Sequence, residues 1–529
     1  MDRTDNVRVA DISLGLDREG TQPSDAPENG PLSDQRSDVA AEERARGRLL
    51  ALAACAVLVV VPFFSVVFAP ITDLPQHLAQ VRLLGDVLTD PDSPYRIQWL
   101  TPYLLGYVPL SLMWQLSPSE AAGRPAMLVL ARLWMLTIHG LAFTRGRPVA
   151  AAILASTLFY SHATYWGFYS FVFGWPAFVL WFLLTTRPDG GRFRRRDVLL
   201  YLGAALLLYL SHALWFAAGM AWLLVRSVVA RAPLRTVGLQ LISIAPVLVV
   251  AAVWYRQLSG FSSPTRWIAT PSARLSFSWI VDSTLGGLHG PLEPAMVGFL
   301  ALWVGLGVYQ HRGQLRARLD RDLCLAAGLF LALAFVLPQL NQNTIAFASR
   351  WQPVAAVTLL LGVPAPAWEK SLRNAAALAA VAVFILLTTL AWMRFEREEW
   401  AGLAESLRAL PANPRVIGLD YVKTSPIIKG RPYLQGFAYA QVVRGGQLNF
   451  SFAEFAPMGV VYKKPRVRPW TRGLDWFAER VTRSDLSHFD YALVNAEGWW
   501  HSSLAASREL TPVTGQGRWR LYRINPIAR

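Results

Sequence analysis

Arg44-Ala45-Arg46-Gly47-Arg48 runs directly into an apolar stretch from Leu49 to Ala69, and that stretch into Pro70-Ile71-Thr72-Asp73-Leu74-Pro75-Gln76-His77. A basic flank followed by about twenty apolar residues is the pattern of a membrane-spanning helix whose N-terminal end stays in the cytoplasm. The run follows a long polar tail and has no clear small-residue cleavage site, so it reads as a retained span and not as a removed signal. The acidic, proline-braced octapeptide after it therefore emerges on the outer face.

The rest of the composition agrees with a lipid environment. Of 529 residues, 53% are hydrophobic and only 16% charged, where an ordinary soluble chain carries roughly 25% charged residues. A net charge of +16 invites a nucleic-acid reading, but the arginines fall in short clusters between apolar runs. That is the arrangement of cytoplasmic loops, and no nucleic-acid partner is expected. The clusters are Arg145 and Arg147; Arg187, Arg192, Arg194, Arg195 and Arg196; Arg226, Arg231 and Arg235; and Arg312, Arg316, Arg318 and Arg321.

Placing each cluster inside predicts about eleven transmembrane helices, near residues 49–69, 125–143, 148–161, 165–185, 198–212, 213–230, 237–254, 295–310, 322–338, 352–365 and 374–393. The apolar stretch 103–116 reads as interfacial or re-entrant, because a crossing there would carry the arginine-rich segment 187–196 to the outside. The expected fold class is thus an all-α polytopic membrane domain, residues 44–393, with outer loops 70–124, 255–294 and 339–351. A disordered cytoplasmic tail, 1–43, precedes it. An extracytoplasmic α/β domain, 394–529, follows, where apolar runs shorten to strand length, as in Arg415-Val416-Ile417-Gly418-Leu419. Cys55 and Cys324 lie inside apolar runs, so neither a disulfide nor a cysteine-based metal site is expected.

Asp73 is an acid fixed at the membrane surface with a histidine, His77, four residues on, a spacing that suits a general base. The competing reading is that Asp73 only caps the helix starting near Pro75. The threading puts His162, His212 and His289 on the same outer face. His162 and Tyr165 lie in an aromatic stretch, residues 160–169, and ring faces beside hydrogen-bonding groups suit a sugar. The outer loops carry Arg256, Arg266, Arg274, Asp282 and Glu293, then Asn341, Gln342, Asn343 and Arg350. Arginines outside run against the positive-inside trend and point to an anion such as a lipid phosphate, with generic headgroup contact as the alternative.

A first span followed at once by an acidic outer loop with an Asp-x-Pro-x-His pattern, many short helices and a C-terminal α/β domain resembles the GT-C superfamily of membrane glycosyltransferases, from about residue 49 to the end. The stretch Tyr439-Ala440-Gln441-Val442-Val443-Arg444-Gly445-Gly446 resembles segments of bacterial proteins of this kind. The resemblance implies an enzyme of a bacterial inner membrane. Its donor is a polyprenyl phosphate- or diphosphate-linked sugar, its acceptor a glycan, lipid or protein, and Asp73 matches the family's first-loop base. The paired acid found beside that base in many members is absent, since Thr72 and Leu74 flank Asp73; dependence on a divalent cation is therefore left open. Three other readings share the outer face: a transporter or flippase for lipid-linked glycans, a non-catalytic subunit of an envelope assembly system, and an O-antigen polymerase or ligase.

Overall fold

Every apolar run expected to cross the membrane carries a helix in the computed structural model of the protein, which describes residues 46–116, 121, 123–187, 193–258, 265–341, 344–464 and 466–526. The tail 1–43, Arg192, Gln342 and Asn343 lie outside the described residues. Among the described residues five helices are long and apolar enough to cross a bilayer: Arg46–Ser65, Gly123–Thr144, Leu234–Gln257, Leu292–Gln310 and Lys370–Glu399. Tyr169–Thr185 and Ala213–Val229 are shorter and apolar, as is Leu104–Leu116, the stretch expected to be re-entrant. Large apolar side chains such as Leu224, Ile242 and Leu302 are exposed on these helices, which in a bilayer costs nothing because the solvent there is itself hydrocarbon.

The interior is filled by interlocked rings. Phe63 meets Trp392 edge-on at 5.0 Å, Trp215 meets Trp351 at 5.2 Å, and Phe330 stacks on Trp351 at 5.7 Å. Such contacts add about 0.5–1.5 kcal/mol each beyond burial and fix the helices against one another.

Beyond the long helix Lys370–Glu399 the chain forms a β-rich domain. Seven strands are described: β1 (Tyr95–Ile97), β2 (Arg415–Asp420), β3 (Gln447–Leu448), β4 (Val460–Tyr462), β5 (Tyr491–Asn495), β6 (Leu510–Pro512) and β7 (Trp519–Ile524). Five make a mixed sheet of order β3-β2-β5-β7-β6, parallel across β3-β2-β5 and antiparallel from β5 to β6. The remaining two pair with each other: β1, from the first outer loop, lies antiparallel to β4, with Tyr95 opposite Tyr462.

Two features seat this domain on the membrane helices. At the end of Lys370–Glu399, Tyr433 donates a hydrogen bond to the buried Glu399, Trp400 stacks on Trp519 at 5.1 Å, and the Trp519 amide donates to the Ala401 carbonyl at 3.0 Å. On the helix Leu74–Thr89, Gln76 and Gln80 stand one turn apart and are both buried. Gln76 Nε2 donates to Gln435 at 2.9 Å and Gln76 Oε1 accepts from the Phe452 amide at 3.0 Å. Gln80 closes both polar groups of Val460, at 3.1 and 3.0 Å, as a neighbouring strand would.

Candidate active site

The short helix His162–Trp166 ends on Gly167, whose φ of +81° is open to glycine. The carbonyls at its end face outward and take the next element: the Thr72 amide donates to Tyr165 at 2.9 Å and the Asp73 amide to Trp166 at 3.1 Å. Asp73 thus occupies the N-cap position of Leu74–Thr89, with Pro75 in the first turn, yet its carboxyl makes no capping bond. The side chain is free for another use, which removes the ground for reading it as a cap.

That side chain borders a cavity of about 770 Å³, walled by membrane helices on one side and by the β-rich domain on the other. Asp73, His77, Tyr103, His212, Arg350 and Glu454 line it, among many aromatic rings. Burial pushes the Asp73 carboxyl up to about 8, with the positive charge of Arg350 opposing the rise. Burial also pulls the Arg350 guanidinium down to about 10, against the pull of Tyr103 and Asp73.

The guanidinium carbon of Arg350 sits over Phe168, 3.8 Å from the ring centroid, and the group donates to the carbonyls of Ala346 at 3.2 Å and Ile345 at 2.5 Å. It therefore shapes the loop whose Thr344, Ile345 and Phe347 line the same cavity. An arginine seated over a ring and fixed from behind offers its remaining N–H groups as a rigid anion site.

His77 is engaged at both nitrogens, Nε2 with the Gly167 carbonyl at 3.1 Å and Nδ1 with the Tyr107 hydroxyl at 2.9 Å. A carbonyl only accepts, so Nε2 carries the proton and Nδ1 accepts from Tyr107. Burial pulls the imidazole down to about 4, the Gly167 bond opposing the fall, which keeps the ring neutral. His212 begins the helix Ala213–Val229, and its Nδ1 accepts from the Leu214 amide at 3.0 Å, leaving Nε2 to bear the proton.

The cavity gathers Asp73, His77, His212, Arg350 and Asn341 from the outer-face residues singled out in the sequence. It does not gather His162, Tyr165, Arg266, Asp282 or His289. His162 packs on Trp166, with ring centroids 6.1 Å apart, and the Tyr165 hydroxyl accepts from Trp392 at 3.1 Å in the core. Arg266 is exposed, and its backbone pairs with Leu340. Asp282 binds Lys429 at 2.7 Å beside Glu293, which binds the same lysine at 3.0 Å, and the exposed His289 gives its amide to Ile427 at 3.0 Å. These last contacts belong to the seam between the loop and the β-rich domain.

Residues not singled out complete the site. Tyr103 and Tyr107, together with Tyr169 from the aromatic stretch 160–169 already noted, surround His77 and His212 with rings, and Glu454, held by Arg468, also lines the cavity. No local pattern marks Glu454, because it reaches the cavity only through the fold of its domain. Among the described residues no group of three or more His, Cys, Asp or Glu is gathered as for a metal ion. Asp73 stands with a histidine whose nitrogens are both occupied, so this donor set does not fit a cation, and no step is assigned to one.

No protein-family model matches the sequence, and no curated protein matches it either. Among solved structures, ArnT from Cupriavidus metallidurans in the apo state is similar over 91% of this chain and 99% of its own, with a TM-score of 0.51 at 15% identity. ArnT from the same organism bound to undecaprenyl phosphate is similar over 90% and 98%, with a TM-score of 0.51 at 12% identity. At this identity the likeness is one of fold.

Proposed function

We propose that the protein is a membrane glycosyltransferase that moves a sugar from a polyprenyl phosphate or diphosphate to a glycan, lipid or protein acceptor at the outer face. One observation carries the reading: a half-buried Asp73 whose carboxyl makes no capping bond and a ring-backed arginine at Arg350 share one aromatic cavity at the junction of the membrane helices and the β-rich domain. In this reading the chain crosses the membrane eleven times, with the N-terminus cytoplasmic and the β-rich domain outside, and the cavity then opens where lipid-linked sugars and not nucleotide sugars are the available donors.

In the proposed reaction the Asp73 carboxylate takes the proton of an acceptor hydroxyl as its oxygen bonds to the anomeric carbon. The bond from that carbon to the phosphate oxygen breaks, its electron pair stays on the phosphate, and Arg350 faces the charge that develops. A single displacement inverts the anomeric centre. His77, with both nitrogens occupied, positions Gly167 and Tyr107 and does not itself take the proton. The Nε2–H of His212 is a donor for a sugar hydroxyl or a phosphate oxygen.

The test is transfer from a polyprenyl-phosphate-linked sugar at matched membrane levels, with undecaprenyl phosphate as the binding probe. Asp73→Asn lowers turnover by a factor on the order of 10²–10⁴ and leaves undecaprenyl phosphate binding intact. Arg350→Ala weakens that binding as well as turnover, because a phosphate contact exists in ground and transition states alike. Full activity of Asp73→Asn removes the assignment and favours the transport reading.

A further inference from the structure

The carboxyl ends of β2 and β5 lie side by side, with Asp420 opposite Asn495 in parallel register. From β2 the chain turns to β3 on one flank, and from β5 it leads to β6 on the other. Loops that part in this way leave a crevice at the carboxyl edge, the place where open α/β sheets take ligands. Asp420 fixes the first of these loops: its Oδ1 accepts from the amides of Val422 at 3.2 Å and Lys423 at 3.1 Å, and from Asn495 Nδ2 at 2.9 Å.

On this frame stands a row of rings. Tyr421 stacks on Trp500 at 4.8 Å and 17°, and Trp500 lies against Trp499 at 4.6 Å and 31°. Trp499 is 62% exposed. Polar groups are interleaved: the Trp499 indole donates to Glu497 at 3.3 Å, and Lys423 pairs with Glu479 at 2.7 Å. Phe477, also exposed, lies under Lys423 at 5.7 Å and under Arg480 at 4.1 Å. Its chain neighbour Trp476 lines the cavity that holds Asp73. A ledge of ring faces thus leads from the rim of the cavity across the carboxyl edge of the sheet.

We infer that this ledge is a second binding surface, which holds a saccharide chain of several residues outside the cavity. Ring faces take the C–H faces of sugars, and carboxylates standing between them accept sugar hydroxyls. A membrane-seated aromatic belt is the competing use of such rings, and contact with lipid acyl chains separates the two. The identification of the chain as the acceptor rests on the glycosyl-transfer reading of the cavity. The binding itself needs no turnover.

The experiment is isothermal titration of the full-length protein in lipid nanodiscs with maltohexaose, cellohexaose and chitohexaose, beside glucose and N-acetylglucosamine. At least one hexasaccharide binds saturably and more tightly than the monosaccharides. Trp499→Ala and Trp500→Ala each weaken it about tenfold, with unchanged thermal midpoints. Asp73→Asn leaves the titration unchanged, so a failure of the catalytic reading does not touch this measurement. Absence of binding by all three hexasaccharides, or binding indifferent to both tryptophan substitutions, overturns the inference. So does a loss of brominated-lipid quenching in Trp499→Phe relative to wild type, because it places the ledge in the membrane.

Discussion

A Cβ atom on Gly167 would lie 2.7 Å from the backbone nitrogen of Asp73. The close approach is what lets the Trp166 carbonyl take the Asp73 amide and the Gly167 carbonyl take His77 Nε2. Gly167→Ala meets both this clash and a positive φ, a combination that costs about 1–3 kcal/mol. The expected result is a lowered thermal midpoint together with a fall in kcat larger than the loss of folded protein explains, because Asp73 moves. A variant with a lower midpoint but wild-type kcat would show that Asp73 does not need this seat.

The two glutamines of Leu74–Thr89 predict a stability effect that reads on both halves of the molecule. Gln80→Leu keeps the volume and leaves the amide and carbonyl of Val460 without their partner, at a cost of about 1–3 kcal/mol for each buried group left unpaired. Its thermal midpoint falls, and limited proteolysis cuts first near β4, which Gln80 holds against the helix. Gln80→Glu retains one of the two bonds at most and does not restore the midpoint. Equal protease resistance in wild type and Gln80→Leu would mean that the β1–β4 pairing alone secures this edge.

How much of this can be read from the sequence depends on how far apart the partners lie. As residues of the cavity wall, Asp73 is legible because an acid directly after an apolar run stands out, and Arg350 because an arginine in a loop expected outside opposes the charge rule. Gln76 and Gln80 are not legible, since their partners come 359 and 380 residues later and amides carry no charge signal. Asp282 shows the opposite failure: it is conspicuous as an outer acid, but its partner Lys429 lies 147 residues away and makes it part of a seam. The same limit applies to the helices. In Val149–Ser156 the residues from Ala150 onward are buried against neighbouring helices, and an apolar run does not distinguish burial in protein from burial in lipid. Sequence patterning therefore finds the helices more readily than it counts the crossings.

Topology gives a prediction independent of chemistry. A reporter joined after Arg196 behaves as cytoplasmic and one joined after Arg529 as extracytoplasmic, because the arginine cluster resists translocation. Trp499→Cys, on the exposed ledge, reacts in intact spheroplasts with a thiol reagent that does not cross membranes. Cys55 does not react, being buried. Cytoplasmic behaviour of the C-terminal fusion would move Asp73 and the cavity to the face where nucleotide sugars are present and would replace the proposed donor.

The pH dependence of kcat/KM tests Asp73 most directly. Burial holds its carboxyl at about 8 in the free enzyme, and a base works only when deprotonated. The sign follows: kcat/KM rises about tenfold per pH unit on the acid side and levels off above about 8, whereas an exposed aspartate would leave it flat from about pH 5 upward. Arg350 opposes the rise in the carboxyl's pKa, so Arg350→Gln, besides weakening the donor contact, shifts the inflection to higher pH, and Arg350→Lys shifts it less. His77 is held neutral with a pKa near 4 and contributes no inflection above that; Tyr107→Phe, which removes its Nδ1 partner, leaves the position of the limb near 8 unchanged to first order. In Asp73→Asn the residual activity loses the limb altogether, since no titrating base remains. A limb near pH 8 that persists in Asp73→Asn would assign the proton transfer to another group. Wild-type activity that is flat between pH 5 and 9 would mean that proton transfer does not limit the reaction or that the carboxyl is ionised throughout. Measuring the Arg350 variants decides between those two cases, because only an ionised carboxyl brought back into range by losing its neighbouring cation regains a limb.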